Sequence, residues 1–345
     1  MNRPPSPLNM LLSRHTRRRE FITFLGAAAA TWPLAARAQQ NGSPRVAALM
    51  AFKEDDPEEQ LRVNALREGL RALGWRERSN IQIDWRFAAG DLSLMQRYVS
   101  ELVNLKPAVI LAENTPVTAA VLRKTHQIPI VFVAVGDPVG SGFVASLARP
   151  GGNATGFTNY DSSLGGKWVA LLKEVAPQTH KVALLFNPST APTAGEYFLP
   201  SFQDAARSLG MEAIPSPVHN PEEIEPALAA VSKESAGGLV VMPDTFTTVN
   251  RNQIIKSVTE NRTPAIYPYR YFVADGGMLS YGVNSPDILR RSAEYISRII
   301  KGEKPADLPV QVPVKFELFI NRRAFQALGL TIPQTLLATA DEVIE

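Results

Sequence analysis

Cysteine is absent from all 345 residues. That absence excludes disulfides, thiolate metal sites and a lipid anchor on an N-terminal Cys. Histidine is scarce, with four in the chain. His126 and His180 precede strand-like runs and His219 lies in a Pro-rich turn, so all three read as solvated surface residues. The Gly-x-Ser-x-Gly nucleophile elbow, the His-Glu-x-x-His zinc motif and the phosphate-binding P-loop are missing. The segment Gly151-Gly152-Asn153-Ala154-Thr155-Gly156 lacks the dinucleotide-binding spacing and does not follow the first strand. No pair of carboxylates has a spacing that argues for acid–base work. The sequence therefore offers little for an enzyme, and it calls for no cofactor and no metal.

Long apolar runs are lacking as well. The longest uncharged one covers residues 21–36, short of the roughly 20 residues needed to span a bilayer. It follows Arg17-Arg18-Arg19-Glu20-Phe21-Ile22 and ends in Ala36-Arg37-Ala38. A basic start, an apolar middle and a small-x-small end make a secretory signal. The arginine pair before Phe21 gives it a twin-arginine character. The expectation is export to the periplasm with cleavage after Ala38. The excess of basic charge belongs to this segment. The whole chain has 36 basic and 33 acidic residues, and six Arg and one Glu fall within 1–38. The remainder is acidic by two charges, so nothing argues for nucleic acid as a partner.

Residues 39–345 are enough for two domains. Short apolar runs at 45–50, 81–87, 108–111, 130–133, 181–186, 212–216, 238–242, 265–267 and 277–280 read as strands. Helix-period segments lie between them at 57–73, 92–105, 116–124, 164–175, 195–209, 221–231, 247–260 and 285–300. Leu61, Ala65, Leu66 and Leu70 mark the apolar positions of the first helix. This alternation predicts an α/β fold with parallel sheets covered by helices. The Gly/Pro/Asn-rich stretch 136–156 is too long for an ordinary loop and reads as a hinge crossing between two α/β units.

In open parallel sheets ligands bind beyond the carboxyl ends of the strands. Those ends hold Phe52, Asn114-Thr115, Asp137, Asn187, Asp244, Tyr271 and Tyr281, with Tyr267 closing its own strand. Helix starts near Thr115, Ser162 and Thr193 would favour a carboxylate. Asp137 and Asp244 could hold an ammonium group. Phe52, Phe157, Tyr267, Tyr271 and Tyr281 could pack on an apolar part. Each also has an ordinary structural reading. Asp and Asn after a strand make turns or cap the next helix, and Tyr often serves as half-buried packing.

Several segments carry a resemblance across residues 39–345. They are Leu66-Arg67-Glu68-Gly69-Leu70 with Leu73-Gly74-Trp75, and Pro129-Ile130-Val131-Phe132-Val133 running into Gly136-Asp137-Pro138-Val139. Leu147-Ala148-Arg149-Pro150-Gly151-Gly152-Asn153-Ala154-Thr155-Gly156 and Gly276-Gly277-Met278-Leu279-Ser280-Tyr281-Gly282 complete the set. With these the chain resembles the ABC-transporter substrate-binding proteins of the type I periplasmic-binding fold, in the subfamily that binds tryptophan and tyrosine. The resemblance implies two Rossmann-like lobes joined by a three-crossing hinge. Lobe one would be 44–158 plus 277–309, and lobe two 159–276 plus 310–345. It places Asn114-Thr115, Asp137, Asn187, Asp244, Tyr267 and Tyr281 at the pocket. The chain departs from the family pattern at Met50-Ala51-Phe52-Lys53, where small polar residues are usual, and at Glu113.

The implied protein is a monomer that captures an amino acid, an aromatic acid or a related organic anion between its lobes. Its partners would be a small-molecule ligand and an ABC permease with its ATPase. A binding protein feeding a membrane sensor would use the same pocket.

Overall fold

The computed structural model describes residues 42–233 and 237–345. The expected export signal at 1–38 and its cleavage site lie outside them. Among the described residues no helix is long and apolar enough to cross a membrane.

The first sheet is parallel throughout. It contains β1 (Arg45–Met50), β2 (Gln82–Phe87), β3 (Val109–Glu113), β4 (Ile130–Val135) and β5 (Ala154–Thr158), in the order β2-β1-β3-β4-β5. Its connections include α1 (Pro57–Ala72), α2 (Leu92–Asn104) and α3 (Asn114–Lys124). A fourth helix, α10 (Ser285–Ile300), arrives from far along the chain and packs along α1. Burial on both faces explains why β1 is apolar throughout. Val46, Ala48 and Met50 join the layer that holds Leu66, Leu70, Leu289 and Ile296, while Ala47 and Leu49 join Met95, Val99, Val117 and Val121. Gly69 sits where α1 and α10 touch: a methyl there would lie 2.8 Å from the Ala293 Cβ and against the Arg290 carbonyl.

The second sheet has seven strands: β6 (Lys181–Phe186), β7 (Glu212–Pro217), β8 (Gly237–Val241), β9 (Ala265–Tyr267), β10 (Leu279–Gly282), β11 (Glu317–Asn321) and β12 (Glu342–Ile344). Their order is β12-β11-β10-β9-β8-β6-β7, and only the β10–β11 pair is antiparallel. The helices of this lobe are α4 (Leu164–Val175), α5 (Leu199–Ser208), α6 (Ile224–Lys233), α7 (Thr245–Val249), α8 (Arg251–Glu260), α9 (Arg270–Ala274), α11 (Arg322–Ala327) and α12 (Gln334–Thr339).

The chain passes between the sheets three times: after β5, after β10 and before β11. Several expectations change in detail. The end of the Gly-rich stretch is strand β5, which pairs with β4 around a register shift between Phe132 and Val135. Strand β10, expected in the first lobe, pairs with β9 and β11 in the second. That sheet is therefore mixed, and its outer strands come from a C-terminal segment in which the periodicity marked no strand. The helix expected from 195 begins only at Leu199, after a turn in which Thr193, Ala194 and Gly195 hold φ of 43°, 53° and 98°. Leu61, expected on the buried stripe of α1, is 52% exposed, and Glu59 and Arg62 are buried instead.

Candidate functional site

A narrow cavity of about 30 Å³ lies where the two sheets present their strand carboxyl ends to each other. From the first lobe come Phe52 after β1, Arg62 on α1, Glu113 to Pro116 at the β3–α3 junction, and Ala134 and Gly136 at the end of β4. From the second come Thr190 and Pro192 after β6, Pro243 to Thr245 with Thr248 after β8, and Tyr269 and Tyr271 after β9. The crossings contribute Asn159 and Ser285. Two of these residues hold positive φ without being glycine, Asn114 at 70° and Ala134 at 54°. Such backbone is strained in most residues, and Asn tolerates it best.

The lobes touch across this cavity. The Asn114 side-chain amide donates to Thr245 Oγ1 at 2.7 Å, joining the start of α3 to the start of α7. At the rim Arg251 of α8 pairs with Asp56 at 3.0 Å and with Asp275 at 2.9 Å. Asp56 also caps α1, accepting from the Glu58 and Glu59 amides. The Arg62 guanidinium lies 5.0 Å from the centre of the Phe52 ring and 5.6 Å from that of Tyr271, one ring from each lobe. Tyr269 and Tyr271 stack with centroids 5.1 Å apart.

The charges in the wall are tightly arranged. Arg62 donates to Glu59 at 2.9 Å and lies 3.6 Å from Glu113. Glu113 accepts from the Ala51 amide at 2.8 Å, tying the end of β3 to the end of β1. Burial, then the neighbouring Glu113 carboxylate, raise the Glu59 pKa well above the ordinary carboxylate range, against the pull of Arg62. One guanidinium between two buried carboxylates leaves an excess negative charge, which a proton on Glu59 removes. Asp244 is likewise buried and its pKa is pushed up to about 6 by desolvation. The amides of Thr247 and Asn187 and the Thr190 hydroxyl, at 2.7, 3.0 and 3.3 Å, work in the opposite direction. Burial pushes the Tyr269 hydroxyl to about 12, so it is a neutral donor and acceptor.

Of the residues singled out in the sequence, Phe52, Asn114, Thr115, Asp244 and Tyr271 line the cavity together. Asn114 and Asp244 serve their ordinary roles too: Asn114 accepts from the Val117 amide and Asp244 caps α7. Five others lie outside the lining, among them Phe157, which is buried against Tyr295. Asp137 closes a turn, accepting from the Gly140 amide at 2.7 Å. Asn187 stands behind Asp244, with its side chain on the Ser189 amide and the His219 carbonyl. Tyr267 is buried in the second lobe against Phe272. Tyr281 stacks on Phe316 beside the third crossing. His126, His180 and His219 are exposed.

Arg62, Glu59, Glu113 as a wall residue, Asn159 and Tyr269 are not among the site residues expected from the sequence. For the first two a signal existed. Glu59 and Arg62 share the helical phase of Leu66 and Leu70, so they lie on the inward stripe of α1.

The family model described as ABC transporter substrate binding protein matches residues 48–344. A tyrosine-binding protein of Clostridioides difficile (strain R20291) is 28% identical over 264 residues, 76% of this chain and 75% of that one. Among solved structures, the ABC domain in complex with L-Trp from Streptococcus pneumonia superposes with a TM-score of 0.81 at 24% identity, covering 88% of this chain and 100% of that one. The ligand-free, open structure of a substrate-binding protein with adhesive properties from Clostridium difficile gives a TM-score of 0.65 at 24% identity, over 87% and 99% of the two chains. The two lobes, their sheets and the three crossings have the type I periplasmic-binding architecture.

Proposed function

The chain belongs to the ABC transporter substrate-binding protein family, and from that premise we propose that it captures an amino acid with an aromatic side chain and delivers it to an ABC importer. The carrying observation is the cavity itself, walled by strand ends of both sheets and bridged across the lobes by Asn114 and Thr245. A molecule held there touches both lobes only when they are together. It therefore shifts the equilibrium toward the closed form by its difference in affinity for the two states. The importer's permease and ATPase would respond to the closed, loaded form. Export by the twin-arginine segment would bring the protein to the periplasmic side of that permease.

Two observations support the ligand class. The wall combines aromatic rings of Phe52, Tyr269 and Tyr271 with a few polar groups, which suits a flat ring carrying a zwitterion. The N-terminal end of α3 lines the cavity at Asn114-Thr115, where a carboxylate is favourable. The homologue named as a tyrosine-binding protein and the L-Trp complex agree with this class. At equal identity the superposition is better on the L-Trp complex than on the ligand-free open structure, which agrees with lobes drawn together. The family is one of binding proteins, and we read the buried carboxylates as binding groups, with no catalytic role.

A thermal-shift screen of the purified protein against amino acids, aromatic acids, sugars and nucleosides tests the reading. A ligand at a hundred times its Kd adds about 2.7 kcal/mol. The expected result is a shift with tyrosine, tryptophan or phenylalanine. A shift with sugars or nucleosides alone would overturn the aromatic assignment.

A further inference from the structure

Charge recognition in the cavity is lopsided. Among the described residues that line it, Arg62 is the sole cation, and it is already engaged by Glu59 and Glu113 and enclosed by the rings of Phe52 and Tyr271. A ligand carboxylate therefore finds no free guanidinium or ammonium in the wall. Glu113 and Asp244 both line the cavity, and each oxygen of a carboxylate can accept more than one hydrogen bond. Near the cavity, Arg251 is likewise shared by Asp56 and Asp275.

Asn159 supplies the independent sign of a missing partner. It lines the cavity from the first crossing, is 4% exposed, and donates its amide to the Tyr269 hydroxyl at 3.2 Å. Its Oδ1 has no partner among the described residues. A buried acceptor without a donor is costly, and a ligand N–H would satisfy it.

We infer that recognition is anchored on a positively charged nitrogen of the ligand, received by Asn159 Oδ1 and the acidic wall of Glu113 and Asp244. The carboxylate of an amino-acid ligand is then the dispensable end. Arylalkylamines are consequently ligands in their own right, and the corresponding arylalkanoic acids are not. The inference rests on the reading of this cavity as the ligand site and sharpens its selectivity. It also narrows the classes left open by the sequence, because a simple organic anion would find Arg62 already paired with Glu113 and no other cation among the described lining residues.

Isothermal titration of the unmodified protein decides it with three matched sets. L-Tryptophan and L-tyrosine are compared with tryptamine and tyramine, and with indole-3-propionate and 3-(4-hydroxyphenyl)propionate. Charge-assisted hydrogen bonds to a buried group carry roughly tenfold to a hundredfold in affinity each. The expected order is amines within about tenfold of the amino acids and acids at least about a hundredfold weaker. Amino acids that bind while the amines do not, or acids that bind as tightly as the amino acids, would overturn the inference and leave the amino-acid reading standing. Silence from all three sets would overturn both. Asn159→Ala should weaken the amines and amino acids by the same factor, because it removes an acceptor for the nitrogen they share. A loss confined to the amino acids would place Asn159 at the carboxylate and count against the anchor.

Discussion

Asn114 and Thr245 stand 131 residues apart and are joined by a 2.7 Å hydrogen bond across the cleft. The bond exists only while the lobes are together, so it belongs to the closed state. Asn114→Gly is the variant of choice, since glycine keeps the φ of 70° that alanine would resist. The variant also removes the acceptor of the Val117 amide, a contact within lobe one, so the bond that bears on closure is the one to Thr245, worth about 0.5–1.5 kcal/mol. Ligand affinity should fall roughly twofold to tenfold, with X-ray scattering of the ligand-free variant shifted toward a more extended particle. An unchanged scattering profile and affinity would remove this bond from the closing equilibrium.

Asp56 has two jobs that one substitution separates. It caps α1 and it pairs with Arg251 from the other lobe at 3.0 Å. Asparagine caps a helix as well as aspartate does but carries no charge. Asp56→Asn should therefore leave the melting temperature nearly unchanged and speed ligand release, by about twofold to fivefold for a partly exposed pair. The effect should fade at high salt. Stopped-flow release measured at two ionic strengths checks both parts.

Gly282 lies at the second crossing, where an added methyl would meet the Pro268 carbonyl and the Tyr160 hydroxyl. Those two groups are hydrogen-bonded to each other, and Tyr160 is buried among Trp168, Phe198, Tyr269 and Phe316. Gly282→Ala should cost about 1–3 kcal/mol by overpacking. Urea unfolding of the variant gives the figure directly. A neutral result would mean that the crossing shifts freely.

Asp244 makes stability depend on pH in a stated direction. Its folded pKa of about 6 lies above the ordinary aspartate value of 3.8, so the folded state holds the proton more tightly than the unfolded one. The stability it contributes is present below pH 3.8 and is lost as pH rises through about 6. The total change is about 3 kcal/mol at 1.36 kcal/mol per unit. The stability of the native sequence minus that of Asp244→Asn should fall by about this amount between pH 4 and 7. Binding of an ammonium ligand runs the other way: it favours ionised Asp244, so affinity should rise with pH up to about 6 and then level off. Titration calorimetry at pH 5, 6 and 7 measures the second effect.

Much of this architecture was legible because burial on both sheet faces leaves apolar strands such as Val109–Glu113 and Gly237–Val241, each followed by a helix signal. The strand Ala154–Thr158 was not, since two of its five residues are threonine and one is glycine, and its pairing partner β4 decides its state. Phe52, Asn114 and Asp244 were legible in the site because their positions at strand ends follow from topology alone. Arg62 and Glu59 were not, because charged residues on an amphipathic helix ordinarily face water. Only the arrival of Glu113 and the two rings gives them a reason to be buried. Asn159 lay hidden for a related reason: its place in the cavity depends on where the first crossing passes, and local sequence does not fix that.

The interleaving of the two lobes has a consequence for how the chain is made. Lobe one lacks its helix α10 until residue 300 has been synthesised, and lobe two lacks β12 until residue 344. A nascent chain emerging from the ribosome therefore carries the apolar faces of Leu66 and Leu70 with no Leu289 or Ala293 to cover them. Domains usually complete themselves in order during translation, but here neither lobe can. Premature termination anywhere before α10 leaves both lobes unfinished, so this protein offers quality control nearly all-or-nothing material.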